Sequence, residues 1–291
     1  MRPGWHGLAV ALAAMLGAAH ARAAVPLFNR GDAEYTRFRY EHNKLFTADP
    51  FPVQPGRVQL SPTYLFLGAN HEWGDNWDLN PRDTTLEHTG LLVATVGVIR
   101  HVDASIAIGF SDILDEEQPQ RTGGGIIDFA LGSTILFYHT PELEFTLSYL
   151  PTFFTPTGTR TSVTIIGPSE EAFVFDNRIA GNLDWASKLI TCADIGYSYY
   201  VNAGNARRRG RGSTSVALGY QVLDWLQPEV ELGYFYAIGL NAPDQQGFTV
   251  AGGVIMPVSD SVRIDFGAQH VVVGRNTDAR TIVLLDMAIT F

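Results

Sequence analysis

Along the last stretch of the chain, Thr281 to Phe291, apolar side chains fall on every second position: Val283, Leu285, Met287 and Ile289. Asp286, Ala288 and Thr290 stand between them. A period of two lets a strand present one face to an apolar phase and the other to a polar one. Taken alone, the pattern also fits an edge strand that ends a soluble domain. The same rhythm recurs upstream, however, and predicts about twelve strands: 57–69, 88–100, 103–111, 126–138, 142–154, 178–190, 193–203, 213–223, 228–240, 247–257, 261–272 and 280–291. Each is near the length a tilted strand needs to cross the hydrocarbon layer.

The links between these segments alternate in length. Short ones fall near His101-Val102, Thr140-Pro141, Thr191-Cys192, Asp224 to Gln227 and Ser259-Asp260. Longer polar stretches run over Asn70 to Glu87, Asp112 to Gly125, Thr155 to Asn177, Gly204 to Gly212, Asn241 to Gln246 and Val273 to Ala279. Short inner turns, long outer loops and an even strand number are the organisation of a bacterial outer-membrane barrel. The expected fold is all-β: a transmembrane antiparallel up-and-down β-barrel.

Alternation does not say which face looks inward, because a lipocalin-like barrel keeps its apolar set inside. On the fifth segment Leu143, Phe145, Leu147 and Tyr149 alternate with Glu142, Glu144, Thr146 and Ser148. On the ninth Val230, Leu232, Tyr234, Tyr236 and Ile238 alternate with Glu229, Glu231 and Gly233. A barrel interior has limited volume. The small and charged set fits a wetted lumen better than twelve strands of Leu, Phe and Tyr, so the apolar set is assigned to lipid. Trp185, Trp225 and Tyr149 then stand at headgroup level.

The ends of the chain fit export. Arg2, the apolar run Leu8 to Ala19 and Ala21-Arg22-Ala23 read as a signal peptide over residues 1–23, with cleavage after Ala23. Residues 24–56 read as a periplasmic N-terminal extension, with Ala33 to Phe46 either a short helix or a strand. Asp49-Pro50-Phe51-Pro52 and Pro55-Gly56 punctuate its end. Residues 57–291 form the barrel, and the terminal Phe291 resembles the signal read by the barrel-assembly machinery, which with periplasmic chaperones is an expected partner.

Composition removes several classes of function. A net charge of −10 argues against nucleic acid, whose phosphates require clustered Lys and Arg. After the signal no apolar run is long enough for a helical span, which leaves a closed barrel as the membrane-crossing form. The single cysteine, Cys192, permits no internal disulfide and is read as a small residue near a strand turn.

The residues also carry a family likeness. Pro55-Gly56 before Val58-Gln59-Leu60, the run Gly123 to Gly125 with Asp128, and Leu150-Pro151 with Thr155-Pro156-Thr157-Gly158 resemble the outer-membrane β-barrel transporter family of the MetA phenol-degradation pathway, over roughly Phe51 to Phe291. The resemblance implies passage of small, aromatic or apolar compounds across the cell outer membrane. It brings no catalytic residues and no cofactor. The stretch Thr159 to Asn177 departs from the family pattern and leaves room for an extra hairpin around Val163 to Phe175.

Candidate chemistry follows from the predicted faces. Glu142, Glu144, Arg178, Asp184, Lys188, Glu229, Glu231, Arg263, Asp265 and Asp286 are assigned to the lumen, as cross-strand salt bridges or as lining that tunes which solutes pass. Arg207, Arg208, Arg209 and Arg211 make a basic outer loop suited to lipopolysaccharide phosphates or simply solvated. Asp112, Asp115, Glu116 and Glu117 make an acidic loop with the ligands for Ca²⁺ but without the glycine and spacing of a calcium loop, which favours a solvated loop. A lipid-modifying hydrolase is the rival function. His270, Ser215, Ser261 and the His71, Glu72, Asp75 group supply the residue types but no nucleophile motif, and an adhesive or structural barrel is the third reading. The expected activity is that of a passive channel or substrate-selective transporter for a small-molecule solute, with outer-membrane lipids and lipopolysaccharide as surroundings.

Overall fold

Each alternating segment pairs with its neighbour in sequence, and the last pairs with the first. The structure, a computed structural model, describes residues 45–116, 122–140, 145–162, 165–166, 168–186, 188–201, 208–240, 242–259 and 261–291. Its strands are β1 (Val58–Trp73), β2 (Leu79–Ile99), β3 (Val102–Asp115), β4 in three pieces (Gly125–Ile126, Phe129–Gly132 and Ile135–Thr140) and β5 (Phe145–Thr155). They continue with β6 (Phe173–Ala186), β7 (Leu189–Val201), β8 (Arg208–Tyr220), β9 (Gln227–Gly239), β10 (Gln245–Ser259), β11 (Val262–Arg275) and β12 (Thr281–Thr290). All neighbours in this order are antiparallel, and the seam sets Gln59 opposite Thr290 and Gly68 opposite Thr281. The result is a closed twelve-stranded barrel without a free edge, so the strand ladders pair within the protein. No helix among the described residues is long and apolar enough to span a membrane.

The faces are inverted relative to a soluble protein. On β9, Val230 and Leu232 are 56% and 63% exposed, whereas Glu229 and Glu231 are 3% and 2%. The pattern holds around the wall: Ile106, Ile108, Phe110, Ile195, Phe266 and Leu285 look out, and Asp103, Ser111, Asp194 and Asp265 are buried within. An apolar belt facing outward around a charged interior is stable only where the surroundings are hydrocarbon. The barrel is therefore an outer-membrane barrel.

Several boundaries differ from those read in the sequence. The stretch from Asn70 to Glu87 is mostly strand: β1 runs to Trp73 and β2 starts at Leu79, leaving a tight turn between. The link expected at Thr191-Cys192 lies a few residues earlier, between Ala186 and Leu189, so Cys192 is a buried wall residue of β7 and not a turn residue. Polar alternation continues through both sites, so period alone placed the ends poorly. The extra hairpin is not formed among the described residues. Ile165–Ile166 instead pairs, parallel, with Thr122–Gly123.

That outer segment is fastened by Asp128. Its carboxylate accepts from Gly158 N at 2.9 Å, Ser169 Oγ at 2.7 Å and Glu170 N at 3.0 Å. Thr159 N bonds Ile126 O at 2.7 Å. The glycines, Asp128 and Thr157-Gly158 that were separate signals in the sequence are thus one junction. Trp185 and Trp225 are exposed at the inner end of the wall, and Phe291 pairs its backbone with Val58 across the seam with its ring outward.

Candidate functional site

The lumen contains a piece of its own chain. Residues 45–54, which the sequence reading assigned to a periplasmic extension, cross the inside of the barrel near the end that carries the short turns. Three prolines, Pro50, Pro52 and Pro55, keep this strap extended and remove backbone donors. The remaining N–H groups need acceptors inside the barrel, and wall carboxylates supply them.

From one side to the other the fastening is as follows. Leu45 N donates to Glu229 Oε1 at 3.1 Å and Glu231 Oε1 at 2.9 Å; Phe46 N and Thr47 Oγ1 also donate to Glu231, each at 2.9 Å. Ala48 N donates to Asp194 Oδ2 and Val53 N to Asp103 Oδ2, both at 2.9 Å. Ser148 Oγ donates to Pro50 O, and Cys192 Sγ approaches Ala48 O at 3.4 Å. The strap leaves the lumen past Gly97, where a Cβ would stand 1.8 Å from Gln54 O, so only glycine admits the crossing.

An apolar patch lies beside the strap. Leu45 packs with Ile255 and Leu284, with Phe46 and Leu65 beside them. Its methyl groups fit over Gly253 and Gly267, where a Cβ would come within 2.7 and 2.9 Å of Leu45 Cδ1. Burying a Leu side chain contributes about 2 kcal/mol, which adds to the hydrogen bonds in holding the strap.

Beyond the strap are ion pairs. Arg178 bridges Asp194 and, at 3.7 Å, Asp176, and donates to Ser213 Oγ at 3.0 Å. Arg263 Nε donates to Asp265 Oδ2 at 2.7 Å and lies 3.6 Å from Asp286, which also accepts from Thr63 Oγ1. At the outer rim, Arg275 holds Asp75, and this hydrogen-bonded guanidinium keeps the Asp75 carboxyl below its ordinary value. Asp244 is lowered too, by the Tyr236 hydroxyl and Gly239 N–H that donate to it.

Of the residues assigned to the lumen, Arg178, Asp184, Glu229, Glu231, Arg263, Asp265 and Asp286 share the inward parity of their strands. Lys188 is exposed in the turn between β6 and β7, at the mouth rather than along the wall. Glu142 and Glu144 lie outside the described residues, as do residues 1–44, Glu117 and Arg207. The basic run divides. Arg209 is exposed, whereas Arg211 is partly buried with its guanidinium 5.2 Å from the Phe235 ring centroid, and Arg208 lies 3.6 Å from Glu170. Arg211 therefore lies on the lumen side of the wall, against Phe235.

Asp112 and Asp115 stand on opposite faces of β3, and no group of three metal-ligating side chains occurs among the described residues. His270, exposed, bonds Thr281 Oγ1 at 2.9 Å, while Ser215 on β8 bonds Asp194, so the hydrolase candidates do not converge. Sequence reasoning missed the strap, Asp103, Asp194, Arg280 and Phe235. The inward parity of Asp103 and Asp194 was the available signal for two of them.

A closed barrel with a lipid-facing apolar wall, a charged lumen and an internal strap defines an outer-membrane channel-type barrel. The chain belongs to the family described as "Putative MetA-pathway of phenol degradation", whose model matches residues 60–280, in agreement with the resemblance read from its motifs. Among solved structures it is similar to an outer membrane channel from Pseudomonas putida F1, with 9% identity and a TM-score of 0.74, covering 85% of this chain and 100% of that one. It is also similar to the NanC porin, at 7% identity and TM-score 0.53, and to the KdgM porin, at 9% and 0.50; each match covers 79% of this chain, and 98% and 99% of the respective porin. At these identities the likeness is one of fold. Among curated proteins nothing matches.

Proposed function

We propose that this barrel is a substrate-selective channel that carries small, aromatic or apolar compounds across the outer membrane and performs no chemistry on them. The observation that supports this most directly is the charged, strap-crossed lumen inside a lipid-facing wall. A barrel whose interior was filled by its own wall side chains would have no room for an extended segment, so the strap marks a space within the wall. Twelve strands leave a narrow route, and the strap narrows it further at the inner mouth. The family membership and the channel and porin neighbours favour the same reading.

In this reading Arg178, Asp184, Glu229, Glu231, Arg263, Asp265 and Asp286 line or brace the route, with Lys188 at its mouth. Arg209 is left to meet lipopolysaccharide phosphates. Residues 1–23 are removed as a signal peptide, residues 24–44 lead from the cleavage site to the strap, and Phe291 addresses the chain to the assembly machinery. Purified protein in planar bilayers tests the channel. Small ionic currents, together with uptake of small solutes into liposomes, are expected. Absence of both, in the intact protein and in a variant lacking residues 45–53, sinks the proposal.

A further inference from the structure

The lipid-facing side of β1 to β3 is not uniformly filled. The strand register sets its outward side chains in rows that cross the three strands. One row is Tyr64, Gly90 and Phe110; the next toward the short turns is Pro62, Leu92 and Ile108; the next toward the long loops is Phe66, His88 and Asp112. Tyr64 and Phe110 are 44% and 57% exposed. Gly90 between them contributes no side chain, and a Cβ placed on it would meet nothing within 4 Å. Other outward glycines are covered by their neighbours, Gly68 by Leu86 and Phe66 and Gly252 by Val230. Gly90 is thus the floor of an open notch. Its aromatic walls stand two strand spacings apart, about 9.5 Å, which leaves room for one alkyl chain between the rings.

On its outer side the notch turns polar. Tyr64 Oη lies 2.5 Å from His88 Nδ1, and the ring centroids of Phe66 and His88 are 5.0 Å apart. A phenol hydroxyl donating to Nδ1 puts the imidazole proton on Nε2, which becomes a donor for a phosphate oxygen. Asp112, exposed and directly opposite His88 in the register, offers its carboxylate to an ammonium. The rise from Ile99, at the inner end of β2, to His88 is about 28 Å at roughly 3.3 Å per residue and a tilt near 40°, against an apolar band about 25 Å tall. A phosphate donor and an ammonium acceptor therefore stand side by side at the level of the outer headgroups, directly above a gap in the apolar wall.

We propose that this notch is a binding site for one outer-leaflet lipid with a phosphoethanolamine head, its acyl chain over Gly90 between Tyr64 and Phe110, its phosphate at His88 and its ammonium on Asp112. A purely anionic head brings its charge against the Asp112 carboxylate. A quaternary ammonium has no N–H to donate to it. The assignment goes beyond the channel reading and does not rest on it, because this face of the wall is turned away from the lumen.

The test follows the thermal transition of the purified protein in dodecyl maltoside as phosphatidylethanolamine, phosphatidylcholine or phosphatidylglycerol with the same acyl chains is added. Saturable stabilisation is expected with phosphatidylethanolamine, and the other two should need about tenfold higher concentration. Gly90→Leu fills the notch and should raise the half-saturating phosphatidylethanolamine concentration about tenfold, while the transition in detergent alone stays where it was, since the new Cβ meets nothing. Asp112→Asn should remove the preference over phosphatidylglycerol and leave the barrel intact; it carries the test alone if Gly90→Leu does not assemble. Equal stabilisation by all three lipids, a preference that survives Asp112→Asn, or binding unchanged by a folded Gly90→Leu overturns the site. Saturation by lipid A at lower concentration than by phosphatidylethanolamine overturns the assignment of the head.

Discussion

The two ends of the lumen handle charge in opposite ways. At the inner end, Glu229, Glu231, Asp194 and Asp103 accept hydrogen bonds from the strap backbone. At the outer end, Arg211 and Arg280 face inward with no carboxylate within ion-pairing distance among the described residues. The inner charges are consumed by folding, whereas the outer guanidinium groups face acids only beyond ion-pairing distance among the described residues. Charge in a lumen is therefore not in itself a transport feature: what matters is whether the protein's own groups already satisfy it.

The most severe way to break this contrast is to remove the inner acceptors. Glu231→Ala strips the hydrogen bonds of Phe46 N and Thr47 Oγ1 and one of the two made by Leu45 N, which keeps only Glu229. At about 1.5 kcal/mol or more for each bond to a charged group, the strap should detach at that side. The expected outcome is a several-fold rise in single-channel current and faster protease cleavage near Leu45, with the barrel still resistant to heat in detergent. An unchanged current would show that the strap does not limit flow.

Arg263→Ala should act on stability instead. It leaves Asp265 and Asp286 facing each other without their cation, and breaking such a buried arrangement costs about 3–5 kcal/mol. A lowered thermal transition with nearly unchanged current assigns this triad to bracing the wall. A strong change in ion selectivity would move it to the solute path.

A finer probe is Gly267→Ala. Its new Cβ would sit 2.9 Å from Leu45 Cδ1, the end of a flexible side chain, so Leu45 should shift at a cost of about 1 kcal/mol. Gly253→Ala meets Phe266 O at 2.2 Å and should harm the barrel itself. The first should change current more than stability, and the second the reverse.

The smallest effect concerns the outer rim. Asp75 and Asp244 have lowered values, so their contribution is present at neutral pH, persists down to the ordinary carboxylate range near 3.8, and is lost as pH falls further. Outer-loop proteolysis should increase only below that range, and Arg275→Ala should abolish the part due to Asp75. Loosening already at pH 6 would implicate other groups.

Much of this was legible in the chain. Alternation along β9 and β11 gave strand identity, the lipid-facing set and the inward carboxylates, because side chains of a strand alternate by geometry regardless of context. The twelve-strand count also emerged, although the ends of β6, β7 and β8 were misplaced by several residues where polar alternation runs on through a turn. The place of Arg211 was not legible because its neighbours in sequence form a basic loop motif, while its neighbour in space is Phe235.

The sequence by itself determined a closed outer-membrane barrel with its polar face inward, since period, length and chain polarity are local properties. Only the tertiary structure decided that residues 45–54 lie inside it, that Glu231 and Asp194 serve those residues, and that Arg211 lies against Phe235. These are contacts between segments far apart in the chain. Whether a charge is satisfied depends on what the closed barrel brings within 3 to 4 Å of it, which no local pattern records.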